Sequence, residues 1–95
     1  MNGFEWDPEK ALENERKHGV TFDEAVTIFS DPRALTIFDE DHSTAEDRFW
    51  TIGISGNWRI LLVVHCDRSA WIRIISARRA TAEERELYES GGFSN

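Results

Sequence analysis

The arginines of the second half of the chain carry the most chemistry, above all those in residues 71–79, WIRIISARR. Trp71, Arg73, Ile75, Ala77 and Arg79 alternate with Ile72, Ile74, Ser76 and Arg78, so a strand here bears guanidinium groups on both faces. Such a run suggests an anion. Thr81 followed by Glu84 has the spacing of a capping box, and Gly91 suits the position just past a helix end. Arg78 and Arg79 therefore lead into the first turn of a helix, which itself favours negative charge.

Other chemistries fit poorly. His65 and Cys66 are neighbours in a strand pattern, so they point to opposite faces and cannot share a metal ion, and no other Cys/His spacing makes a zinc site. Gly53-Ile54-Ser55-Gly56 lacks a residue of the nucleophile elbow and lies in a hairpin. There is no phosphate-cradling glycine loop and no internal repeat. His18, at the end of a helix pattern, fits a partner for the helix dipole, and His42 sits in an acidic loop. Trp6, Trp50, Trp58 and Trp71 suit a core or an interface, and an exposed one could stack on RNA.

These residues have to be placed by one domain of 95 residues, 1–95. The longest apolar run, residues 60–64, is too short to cross a bilayer, no signal pattern opens the chain, and one cysteine makes no internal disulfide; a cytoplasmic protein is expected. The formal charge of −7 argues against nucleic acid, but the distribution is uneven: residues 1–47 carry −9, residues 48–79 carry +5 and residues 80–95 carry −3. A basic sheet in an acidic shell is one description; acids collecting on helices and loops while arginine tolerates strands is the other.

Residues 4–6 fit a short strand. Asp7 and Pro8 start a first helix that Gly19 stops, and Thr21 with Glu24 caps a second whose Phe22, Ala25, Val26 and Phe29 form an apolar stripe ending before Asp31 and Pro32. A strand over residues 34–38, an acidic loop over 39–47, and three antiparallel strands over 48–55, 58–66 and from 71 follow, then the C-terminal helix and a short tail, 90–95. A two-residue turn at Gly56-Asn57 and another near Ser69 put Arg59 opposite Arg78 on one face, with Arg48 and His65 on the same face and Arg73 and Arg79 on the other. Two facing arginines call for an anion between them or for an acid from a helix. Both faces of this sheet are apolar, and three short helices cover only part of them, which implies a partner or a groove.

Three blocks in order, FEWDPEKALENERKHGVTFDEAVTIFSDP, DRFWTIGISGNWRILLVVH and IRIISARRATAEERELYE, resemble the BrnT family of bacterial type II toxins over residues 4–89. The resemblance implies an α+β, RelE-like fold, with two N-terminal helices packed on a twisted antiparallel sheet of about four strands and a C-terminal helix. It also implies a metal-independent endoribonuclease without cofactor, neutralised by a small DNA-binding, BrnA-like antitoxin that alone brings it to operator DNA. Metal-free RNA cleavage needs a base, an acid and cations around the phosphorane. Arg59, Arg78 and Arg79 are the candidate phosphate binders, and His65 leads the candidates for proton transfer ahead of His42, Glu84 and Tyr88. Arg48, Arg73, Trp50 and Tyr88 are candidate RNA contacts. The strong acidity departs from the usual pattern of such ribonucleases, and a noncatalytic interaction module or operon co-repressor is the rival reading.

Overall fold

The computed structural model describes residues 3–92 and opens with a strand, β1 (Gly3–Glu5), that runs directly into helix α1 (Pro8–His18). Local chemistry sets both ends of α1. The Asp7 carboxylate accepts the backbone N–H of Glu9 at 2.9 Å, Pro8 occupies the first turn, and Gly19 closes the helix in the left-handed region at φ 68°. Helix α2 (Phe22–Thr27) starts at Thr21, whose hydroxyl accepts the N–H of Glu24 at 3.0 Å. Only half of the expected capping box forms, because the Glu24 side chain turns away to Arg59. A 3-10 turn, Ile28–Ser30, ends this segment before Pro32.

The remaining elements are β2 (Leu35–Phe38), a 3-10 turn Glu40–His42 in the acidic loop, β3 (Arg48–Ile54), β4 (Ile60–Arg68), β5 (Trp71–Arg79) and α3 (Ala82–Glu89). Five strands form one sheet in the order β1-β5-β4-β3-β2, where the family resemblance implied about four. The sheet is mixed: β1 pairs with β5 in parallel, Gly3 opposite Trp71 and Glu5 opposite Arg73, while every other pairing is antiparallel. Among the described residues no helix is long and apolar enough to cross a membrane.

The register differs from the expected one by a step that matters for function. The β3–β4 loop has three residues, Gly56-Asn57-Trp58, because Trp58 adopts φ 61°; Ser55 N–H then bonds Arg59 O at 2.8 Å and Trp58 N–H bonds Ser55 O at 2.9 Å. Ile52 therefore faces Leu62, not Leu61, and all of β4 is turned over relative to β3. Between β4 and β5, Leu62 faces Arg78, Val64 faces Ser76 and His65 faces Ile74, with Ile75 left over as a bulge. Arg59 and Arg78 are not cross-strand neighbours.

Two cores result. Against α1 and α2, Leu61, Val63, Ile74 and Ala77 of the sheet pack on Val20, Phe22, Ala25 and Ile28. On the opposite face Ile52, Leu62 and Ala80 form a smaller buried cluster, flanked by Trp50, Ile60, Val64, Leu87 and Tyr88 beneath α3. The first core is the larger, and at about 1.5–3 kcal/mol per fully buried aliphatic or aromatic side chain it carries most of the hydrophobic stabilisation. One amide joins its layers. Asn14 Nδ2 donates to Val20 O at 2.9 Å and to Ala77 O at 2.8 Å, and its Oδ1 accepts Ala77 N–H at 3.1 Å, so a side chain takes the place of a missing strand where β5 runs beyond β1.

Candidate nucleic-acid interface

The cations of the sheet fall into three settings. Arg59, immediately before β4, is turned inward toward α2. Its Nε donates to Glu24 Oε2 at 2.9 Å, its Nη2 donates to Glu24 Oε1 and also to Gly19 O at 3.1 Å, and Ser55 Oγ donates to Glu24 Oε2 at 2.7 Å. Glu24 is only 7% exposed. The Arg59 guanidinium holds its carboxyl below the usual range against the opposing effect of burial. A guanidinium used in this way is committed to the fold.

Arg78 belongs to the other face. Its two terminal nitrogens donate to Glu84 of α3 at 2.7 and 2.9 Å, in the parallel geometry of a bidentate pair, and Glu84 also accepts Thr81 N–H at 2.9 Å to complete a full capping box. This pair fixes α3 to the end of β5 and keeps Glu84 ionised below its ordinary range. Next to it, Arg79 is exposed and makes no ion pair among the described residues. The two residues expected to share an anion, Arg59 and Arg78, thus lie on opposite sides of the sheet, each with its own glutamate.

The third setting is the outer end of the α3 face. The register places Arg48, Cys66 and Arg73 in one row across β3, β4 and β5. Arg73 Nη1 donates to Glu5 at 3.2 Å, while the buried Nε of Arg48 has no hydrogen-bond partner. Burial raises the Cys66 thiol. Trp50, one row inward, is half-buried beneath α3.

His65 is enclosed. Its ring is 2% exposed, stacked on Phe49 and edge-on to Phe29, with Nδ1 2.8 Å from Asp67 and Nε2 2.8 Å from the Thr51 hydroxyl. The carboxylate requires the proton on Nδ1, so Thr51 donates to Nε2 and in turn accepts from Thr36 at 2.9 Å. Burial lowers the imidazole pKa despite Asp67, which fixes a neutral ring. At 2% exposure the ring is closed off from the surface, where a group expected to transfer protons to RNA would have to stand. Tyr88 is likewise occupied: its hydroxyl donates to Asp31 at 2.5 Å and is pushed up to about 12 by burial and by that bond. His42 bonds Asp39 in the exposed acidic loop.

Sequence reasoning overlooked a cationic groove on α1. Lys10, Arg16, Lys17 and His18 of α1 line a groove of about 530 Å³ whose opposite wall is Ile75 and Ser76 of β5. The signal was available, since Lys10, Asn14 and Lys17 fall at i, i+4 and i+7 on one helix face. It was hidden by the strongly negative total of residues 1–47. The groove exists because β1 covers only Trp71–Arg73, leaving the rest of the β5 edge to α1.

A mixed five-stranded sheet between two helical layers, with cations along its β5 edge, defines a small α+β protein with a polyanion-suited surface. The chain belongs to the BrnT family: a family model described as "Ribonuclease toxin, BrnT, of type II toxin-antitoxin system" matches residues 6–84. In three dimensions it is similar to the ribonuclease toxin BrnT of Brucella abortus, known from a crystal structure, with a TM-score of 0.66 and 24% sequence identity over 85% of this chain and 99% of that one. At that identity the likeness establishes the fold. No curated protein sequence matches the chain.

Proposed function

We propose that this member of a ribonuclease-toxin family is an active, metal-independent endoribonuclease with a single RelE-like domain, working in the cytoplasm and silenced by a small DNA-binding, BrnA-like antitoxin that also brings it to operator DNA. The observation that carries the reading is the end of β5, where Arg78 is held rigid by Glu84 and Arg79 stands exposed beside it. In such a reaction the RNA 2′-oxygen bonds to the neighbouring phosphorus, its proton leaves to a base, and the bond to the 5′-oxygen breaks as that oxygen is protonated. The phosphorane between carries extra negative charge. Arg79, facing the α1 side, supplies a cation to it directly, and Arg78, preorganised by its carboxylate on the α3 side, adds fixed positive charge from the same strand end. Arg48 and Arg73 extend the phosphate contacts on the α3 face, and Trp50 adds apolar surface there. Arg59, His65 and Tyr88 keep structural roles.

Purified protein mixed with single-stranded RNA tests this. Arg79→Ala is expected to lower cleavage by about 10²-fold, the scale of losing one preorganised charge-stabilising donor. Its circular dichroism and melting should match those of the wild type. Unchanged cleavage would refute the assignment. A noncatalytic module or co-repressor is the second reading, favoured by the pairing of Arg59, Arg73 and Arg78 with Glu24, Glu5 and Glu84. Absence of growth arrest on expression without the antitoxin would decide for it.

A further inference from the structure

We infer that the groove between α1 and the free edge of β5 is a track for the phosphodiester backbone of single-stranded RNA, leading away from the phosphate held at Arg79. The inference rests on the ribonuclease reading and extends it to substrate binding. Asn14, in the second half of helix α1, bonds Ala77, and Gly19 O just past the helix accepts from Arg59, two residues before the Leu61 that faces Arg79. The last residues of α1, Lys17 and His18, therefore lie toward the Arg79 end of β5, and Lys10 lies two turns back, about 10 Å along the axis. Arg79 follows Ser76 by three residues, about 10 Å along the strand, so the groove and Arg79 form one continuous line.

The lining says what kind of ligand fits. Three permanent cations, Lys10, Arg16 and Lys17, face one carboxylate, Glu13, and none of the three makes an ion pair among the described residues. A volume of about 530 Å³ is the size of a site for a ligand of one or two nucleotides. The walls carry no Phe, Trp or Tyr to stack a base. Recognition is accordingly of backbone charge, without base selection. Asn14 is saturated by the main chain and serves as a spacer that keeps α1 at a fixed distance from β5. In a chain with a net charge of −7, this local excess of cations guides a polyanion to the sheet edge and past the acidic surface.

The test uses a 2′-O-methyl oligoribonucleotide, which binds but cannot be cut because its 2′-oxygens are blocked. Affinity is measured against salt concentration for the wild type, the double variant K10A/K17A, and R85A as a control on exposed α3. Each phosphate contact to a single strand contributes about 0.7 to the slope of log K against log salt. The double variant is expected to lose about 1.4 from the slope and, at 0.1 M salt, about 25-fold in affinity, while R85A changes neither. Both replaced lysines are exposed, so the melting temperature should not move.

An unchanged slope in K10A/K17A overturns the track even if the wild type cleaves natural RNA. A wild type that binds with the expected slope and never cleaves supports the track and removes the nuclease reading instead. Polyglutamate that binds the wild type but not the double variant, with RNA binding intact, overturns it in favour of an acidic protein segment.

Discussion

Arg59→Ala separates a structural arginine from a catalytic one. The substitution removes the Nε and Nη2 donors to Glu24 and the bond to Gly19 O, leaving a 7%-exposed carboxylate that keeps the Ser55 hydroxyl as a donor. Breaking a buried pair from one side costs about 3–5 kcal/mol, because the surviving charge is stranded. The Arg59 side chain keeps 27% exposure, so water relieves part of this and the lower end, about 3 kcal/mol, applies. For a domain of this size 1 kcal/mol moves the melting temperature by about 4–8 °C, so a fall of roughly 12–24 °C is expected. Had Arg59 faced Arg78 across the strands, as the turn pattern put it, the substitution would have been neutral or mildly stabilising. Thermal denaturation of the wild type, R59A, E24A and the double variant forms a closed cycle. The double variant should be less destabilised than the two single effects added together, with a coupling of about 1–3 kcal/mol. If R59A melts within a few degrees of the wild type and yet loses RNA cleavage, Arg59 is a phosphate binder and the reasoning is wrong.

Asn14→Ala strands Val20 O and both backbone groups of Ala77, and at about 1–3 kcal/mol per unsatisfied buried group it should cost at least about 3 kcal/mol in urea unfolding; a loss under 1 kcal/mol would show that water replaces the amide. Because His65 titrates below 6.5 when folded, its contribution to stability is fully present above pH 6.5 and is lost as pH falls from 6.5 through the folded value. A urea midpoint that declines over that window checks this, and one that rises would contradict the buried neutral ring. Tyr88 is the one tyrosine of the chain, so the ultraviolet absorbance of phenolate reads it alone; the folded protein should titrate near pH 12, and a midpoint near 10 would break the assignment of its bond to Asp31.

What was legible in the sequence was the chemistry that acts within a few residues. Asp7-Pro8, Gly19, Thr81 with Glu84, and Gly91 at φ 74° mark helix ends because caps are made by neighbours, and all lie where the pattern puts them. Long-range pairing was not legible. Glu24 has capping-box spacing, yet an arginine 35 residues away takes its side chain. Gly56-Asn57 reads as a two-residue turn, but Trp58 enters the left-handed region, which a bulky residue seldom does, and one extra loop residue turns every side chain of β4 over. The Ile75 bulge and the parallel docking of β1 leave no periodic trace either, and together they create the edge on which the groove is built. The tail expected over residues 90–95 partly closes α3, with Gly92 N–H bonded to Leu87 O at 2.9 Å; residues 93–95 lie outside the described residues.

The central claim is that the arginines at the end of β5 drive RNA cleavage through the 2′-oxygen, and the chemistry of the cut ends tests it most directly. RNA incubated with the purified protein in EDTA should be cut at the rate seen without chelator and should carry 2′,3′-cyclic phosphate and 5′-hydroxyl ends, with Arg78→Ala reducing the yield by about 10²-fold. Products bearing 5′-phosphate, activity abolished by EDTA, or an Arg78→Ala protein as active as the wild type would contradict it.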